Sequence, residues 1–152
     1  MDNKKIKNAS ENIYEGIEFK SKLERSCYVL LKEAGFNPQY ESKSFHIWEG
    51  QRFTVPCYDT HNDRKLKRTI WGINNYKPKD IQYTPDFIFF ITDSSGAERM
   101  IVIEAKGYAN DRYVYVKKMF RGWLEKNNPQ SAFFEVHNQK QIKSAIEIIK
   151  TL

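Results

Sequence analysis

Asp86, Glu104 and Lys106 are the residues of this sequence whose types and spacing best suit hydrolytic chemistry. Asp86 follows Pro85 and opens the apolar run Phe87 to Ile91, while Glu104 closes a second run, Met100 to Ile103, with Lys106 two positions beyond. Side chains alternate along a strand, so Glu104 and Lys106 share one face. Ala105 then points the other way, with its carbonyl still able to reach a ligand. Two carboxylates facing each other on neighbouring strands repel. A divalent cation between them removes the repulsion, and hard oxygen donors at that separation suit Mg²⁺, with Mn²⁺ as a substitute. A lysine beside them would hold a water or hydroxide and offset charge growing on a phosphate. Taken singly, Asp86 or Lys106 is more often an ordinary charge on a solvated strand end, and it is their conjunction that points to chemistry.

Whether the two acids meet depends on the turn between their strands. Ser94-Ser95-Gly96 suits a three-residue hairpin loop, in which a type I turn is followed by a residue with positive φ. That loop pairs Asp93 with Ala97 and, in the same register, Asp86 with Glu104, their Cβ atoms about 5 Å apart. A two- or four-residue loop would set Asp86 opposite Ala105 instead. Both runs are continuously apolar, as expected of strands covered on both faces.

The rest of the chain supplies the supporting elements. Leu23, Cys27, Leu30, Leu31 and Ala34 repeat at helical spacing, so a helix is expected from Ser21 to about Ala34 and ends at Gly35. Ser21 and Glu24 match a capping box. Residues 41–58 suggest two strands around Glu49-Gly50, and residues 59–80 read as a loop or irregular insertion. Strands at Tyr83 to Thr92 and Arg99 to Lys106 come next. A helix from about Asp111 to Lys126, a strand over 131–136 and a helix from Gln139 to Ile149 complete the order. The sum is an α/β protein, a mixed β-sheet flanked by helices. No linker or repeat divides it, so a basic tail over residues 1–12 and a single domain over 13–152 are expected.

The segments Pro85-Asp86-Phe87 and Glu104-Ala105-Lys106, with Ser21-Lys22-Leu23-Glu24 on the preceding helix, resemble the PD-(D/E)xK nuclease superfamily. The likeness spans about residues 19 to 136, and the combination is similar to small phage endonucleases, including the Holliday-junction resolvase (endonuclease I) type. It implies a restriction-endonuclease-like core in the order αβββαβα and a Mg²⁺-dependent endonuclease. Asp86, Glu104 and the Ala105 carbonyl would hold the metal, and Lys106 would position the attacking water. Glu24 would be a further acidic residue at the metal, although its place in the capping box explains it without one. Branched DNA in phage or mobile-element recombination is the substrate the likeness favours. Restriction-type or transposon-end cleavage of linear duplex, and a non-catalytic DNA-binding module, are the alternatives.

Composition agrees with a polyanionic partner. The net charge is +6 and the pI about 9.2. One basic cluster is Arg64, Lys65, Lys67 and Arg68; another includes Arg112, Lys117 and Arg121 on the helix after the motif. Each could touch phosphates or simply form a solvated face. Lys117 flanks the apolar stripe of its helix and could either reach a scissile phosphate or snorkel to water. No phosphate-binding glycine loop is present, so no nucleotide cofactor is expected. Cys27 and Cys57 lack metal-ligand spacing, and no histidine pair joins His46, His61 and His137. No run approaches the roughly 18 apolar residues of a membrane span, and the polar start lacks a signal-peptide core. A cytoplasmic protein is expected, in the bacterial host if phage-encoded. Cutting two strands of a junction symmetrically would call for a homodimer.

Overall fold

A computed structural model describes residues 12–107 and 110–152. The expected tail, Asn12 apart, therefore lies outside the described residues. The elements are β1 (Ile13–Tyr14), β2 (Ile17–Glu18), α1 (Lys22–Glu33), β3 (Gln39–Tyr40), β4 (Phe45–Trp48), β5 (Tyr58–Asp63) and β6 (Arg68–Ile73). They continue with β7 (Ile81–Tyr83), β8 (Phe87–Thr92), β9 (Glu98–Ala105), α2 (Asp111–Asn127), β10 (Ala132–Val136) and α3 (Gln139–Ile149). The fold is mixed α/β. The contacts of the described residues group into two compact units, one of residues 12–45, 83–107 and 110–152, the other His46–Gln82.

The first unit is built on a four-stranded sheet in the order β10-β9-β8-β3. β9 runs parallel to β10, while β8 is antiparallel to both of its neighbours. The β8–β9 turn closes as the glycine requires: Gly96 sits at φ 83° and the Asp93 N–H donates to the Ala97 carbonyl at 2.8 Å. The ladder then runs from Thr92 opposite Glu98 to Phe87 opposite Ile103. The three-residue loop is thus the one adopted.

Alternation sorts the two strands onto two cores. Phe87, Phe89, Ile101, Ile103 and Ala105 face a cluster that includes Cys27 and Leu31 of α1 and Ile142, Ile146 and Ile149 of α3. On the other face Phe120 of α2 packs against Tyr83 and against Phe133 of β10. Each fully buried Leu, Ile or Phe contributes about 1.5–3 kcal/mol. Both helix ends of α1 follow the expected chemistry, with the Ser21 hydroxyl accepting the Glu24 N–H and Gly35 taking φ 90°.

Three expectations need correction. Tyr83 to Thr92 is not one strand: it breaks into β7 and β8 around Pro85, which lacks an N–H for a ladder. β4 does not turn back on residues 51–57, which contain no strand, but pairs with β7. Gly50 explains this locally. Its N–H donates to Asp80 Oδ1 at 2.9 Å, and a Cβ added there would lie 1.8 Å from the Pro78 carbonyl oxygen. The segment is therefore packed against residues 78–80, and Pro56 further weakens any strand after it. Finally, residues 59–80 are not an irregular insertion, because β5 and β6 form an antiparallel hairpin.

Candidate active site

Continuing the β8–β9 register by one pair places Asp86 opposite Glu104, on the α2 face of the sheet. The next pair would set Pro85 opposite Ala105. A residue with an N–H at 85 would bond the Ala105 carbonyl, but proline has none. The Ala105 carbonyl thus has no N–H opposite it on the β8 side. The Ala105 N–H turns instead to Asp86 Oδ2 at 2.7 Å. The Pro-Asp pair therefore both frees a carbonyl and anchors a carboxylate beside it.

Glu104 is 5% exposed. Its Oε2 accepts the Tyr83 hydroxyl at 2.6 Å, and its Oε1 lies 3.3 Å from Lys106 Nζ. Lys106 Nζ also stands 4.5 Å above the Tyr113 ring, a cation–π contact that limits where the ammonium can go. The alternation expected of Glu104 and Lys106 is what brings them together. Burial pushes the Asp86 carboxyl up to about 8. The Glu104 charge adds to this and the Ala105 N–H opposes it, with the Glu24 charge a smaller upward effect. Burial likewise raises the Tyr83 hydroxyl, which stays protonated and donating.

Glu24 is 7% exposed and fully engaged. Oε1 accepts the Ser21 hydroxyl at 2.8 Å, while Oε2 accepts the Tyr40 hydroxyl at 2.6 Å and the Lys20 N–H at 3.1 Å. Glu24 thus serves the start of α1, taking the Lys20 N–H and the Ser21 hydroxyl where a capping box takes the Ser21 N–H, and its charge stays within electrostatic reach of Asp86. We expect Glu24→Gln to lower any metal-dependent activity by about 10- to 100-fold, as for a residue that supports a metal site without touching the metal. A loss as deep as that at Asp86, in a side-by-side cleavage assay, would make Glu24 a direct ligand.

The parallel β9–β10 register adds a residue that sequence reasoning missed. Glu135 lies opposite Glu104 across the β9–β10 pair, while Asp86 stands one residue before β8. Glu135 is held by Lys117 at 2.7 Å, the Tyr113 hydroxyl at 2.8 Å and His137 Nε2 at 3.0 Å. Burial works against its charge, but the Lys117 and Tyr113 hydrogen bonds win and hold its carboxyl below the ordinary value. His137 Nδ1 donates to the Lys106 carbonyl at 2.6 Å, fixing the backbone that carries the ammonium. Lys117 is thus tied to Glu135, while Arg112 and Arg121 are exposed on α2. Arg64, Lys65, Lys67 and Arg68 belong to the other unit.

Among the described residues no three His, Cys, Asp or Glu side chains are gathered closely enough to hold a metal by themselves. The donors present still suit Mg²⁺, which keeps several waters and takes one or two carboxylates plus substrate oxygens. Two carboxylates and a carbonyl without an N–H opposite it on the β8 side form such a set. No family model, curated protein or solved structure matches the chain.

Proposed function

We propose that this protein is a metal-dependent endodeoxyribonuclease with a restriction-endonuclease-like core, acting on branched DNA in phage or mobile-element recombination. The observation that carries the reading is that Asp86 Oδ2 accepts the Ala105 N–H at 2.7 Å while Lys106 Nζ lies 3.3 Å from Glu104 on the neighbouring residue. Asp86, Glu104 and the Ala105 carbonyl would hold Mg²⁺ or Mn²⁺, which when bound supplies Lewis-acid polarisation of the phosphate and a more acidic water. The remaining work falls to the protein's own groups. Glu104 and the Tyr113 ring hold the Lys106 ammonium where it can orient the attacking water and meet charge on the phosphate. Tyr83 orients Glu104. His137 and Glu135 steady the Lys106 backbone and Lys117. The net charge of +6 favours a polyanionic substrate.

Incubation of the protein with a four-way junction, a flap, single-stranded DNA and linear duplex tests the reading. Cutting is expected in Mg²⁺ and Mn²⁺ and not in EDTA, with the junction preferred. Preference for linear duplex would move the protein to the restriction or transposon-end type. No cutting of any substrate in either metal would overturn the enzyme reading.

A further inference from the structure

The second unit carries a feature that the proposed chemistry does not use. Among the described residues β5 and β6 pair only with each other, through six cross-strand pairs from Tyr58 opposite Ile73 to Asp63 opposite Arg68. A two-stranded ribbon alone is marginally stable in water, because it has no third layer to bury. This one nevertheless exposes large side chains, with Trp71 at 70% and Tyr58 at 56%. Its tip concentrates charge. Arg64, Lys65, Lys67 and Arg68 are all exposed, and none makes an ion pair among the described residues. The nearby acid is already engaged: Asp63 Oδ1 accepts the N–H groups of Lys65 at 2.8 Å and Leu66 at 3.0 Å, which shapes the turn. Lys67 adopts φ 50°, so a lysine is kept where glycine would fit more easily.

We infer that the β5–β6 ribbon is an arm that binds duplex DNA, with its basic tip at the phosphates. The inference rests on the nuclease reading for its choice of DNA, but not on catalysis. A two-stranded ribbon fits the major groove, which is about 12 Å wide. One face of the ribbon presents Thr60, Asn62, Thr69 and Trp71 by strand alternation. The polar members can meet base edges or phosphates, and the indole can pack on sugar or a thymine methyl. Charge decides between this partner and a second copy. Two copies, each at +6, would bring like-charged tips together, whereas a polyanion neutralises them.

The test is binding in EDTA, where no cutting occurs. The full chain is titrated into a fluorescein-labelled duplex of about 24 base pairs, followed by anisotropy at several salt concentrations. Changing Arg64, Lys65, Lys67 and Arg68 together to Gln should weaken binding about 30-fold near 0.1 M salt. The slope of log affinity against log salt should become shallower by about 3.6, since each of the four lost phosphate contacts removes about 0.9. Trp71→Ala should cost about tenfold, the range of one stacking or apolar contact. The Lys65→Gln/Lys67→Gln pair gives a smaller change of the same sign, and serves if the fourfold variant fails to fold by circular dichroism. Unchanged affinity and slope in these variants overturn the arm. A dimer in sedimentation that Trp71→Ala dissociates, with duplex binding intact, overturns it in favour of a second copy. If the parent binds through the tip but cuts nothing, the arm stands and the nuclease reading falls. If it cuts while tip variants bind normally, the reverse holds.

Discussion

Asp86→Asn should abolish DNA cleavage, by about 10³-fold or more, while making the metal-free protein harder to melt at alkaline pH. The two effects share one cause. Asp86 is held near Glu104 in a half-buried site, and burial with that neighbouring charge pushes its carboxyl from 3.8 up to about 8. Between those values the folded chain keeps a proton that the unfolded chain has lost. Stability attributable to Asp86 is therefore complete below about pH 4, declines as pH rises through the window, and is gone above about 8. Asparagine cannot ionise, and its amide oxygen can still accept the Ala105 N–H. The melting temperatures of parent and variant should coincide near pH 4 and separate steadily toward pH 8, the variant being higher. Each kcal/mol corresponds to about 2–4 °C for a chain of this size. Melting curves at several pH values in EDTA check this, and a parent as stable as the variant at pH 9 would mean that Asp86 carries no electrostatic penalty.

Lys106→Met should cost about 10²- to 10³-fold in the cleavage step, as expected for loss of one preorganised charge at a developing oxyanion. Methionine keeps the length of the stem and its packing on Tyr113. The substitution removes the ammonium 3.3 Å from Glu104 Oε1 and 4.5 Å above the Tyr113 ring, and leaves the two carboxylates in place. Stabilisation by Mn²⁺ should therefore survive, or rise slightly, since a competing cation has gone. Single-turnover cleavage measured beside metal-dependent melting separates the two roles. Equal loss of metal stabilisation and of cleavage would show that Lys106 shapes the site instead of acting in it.

The site was legible where local chemistry sets the geometry. Ser94-Ser95-Gly96 demands one loop length, and that loop alone aligns Asp86 with Glu104. Alternation then carries Lys106 to the same face. A cap and an apolar stripe likewise set α1, and the observed bounds of α1, α2 and α3 differ from the expected ones by a residue at most. Glu135 and His137 were invisible for the opposite reason. β9 and β10 are parallel and joined through a helix, so no turn sets their register, and only tertiary packing brings Glu135 beside Glu104. The β5–β6 ribbon escaped notice because its strands are largely polar and its turn contains no glycine. Lys67 takes the left-handed conformation instead. The β4–β7 pair joins distant segments, for which local propensity holds no information.

The central claim is that the Asp86–Glu104 pair is a cradle for a divalent cation. Calorimetric titration of the metal-free protein with Mn²⁺ at pH 7, repeated in two buffers of different ionisation enthalpy, tests it most directly. Saturable binding is expected with about one proton released per site, because a carboxyl that titrates near 8 must give up its proton to coordinate. Asp86→Asn should lose both the binding and the proton release. Identical heats in parent and variant, or no Mn²⁺ binding to the parent at millimolar metal, would contradict the account.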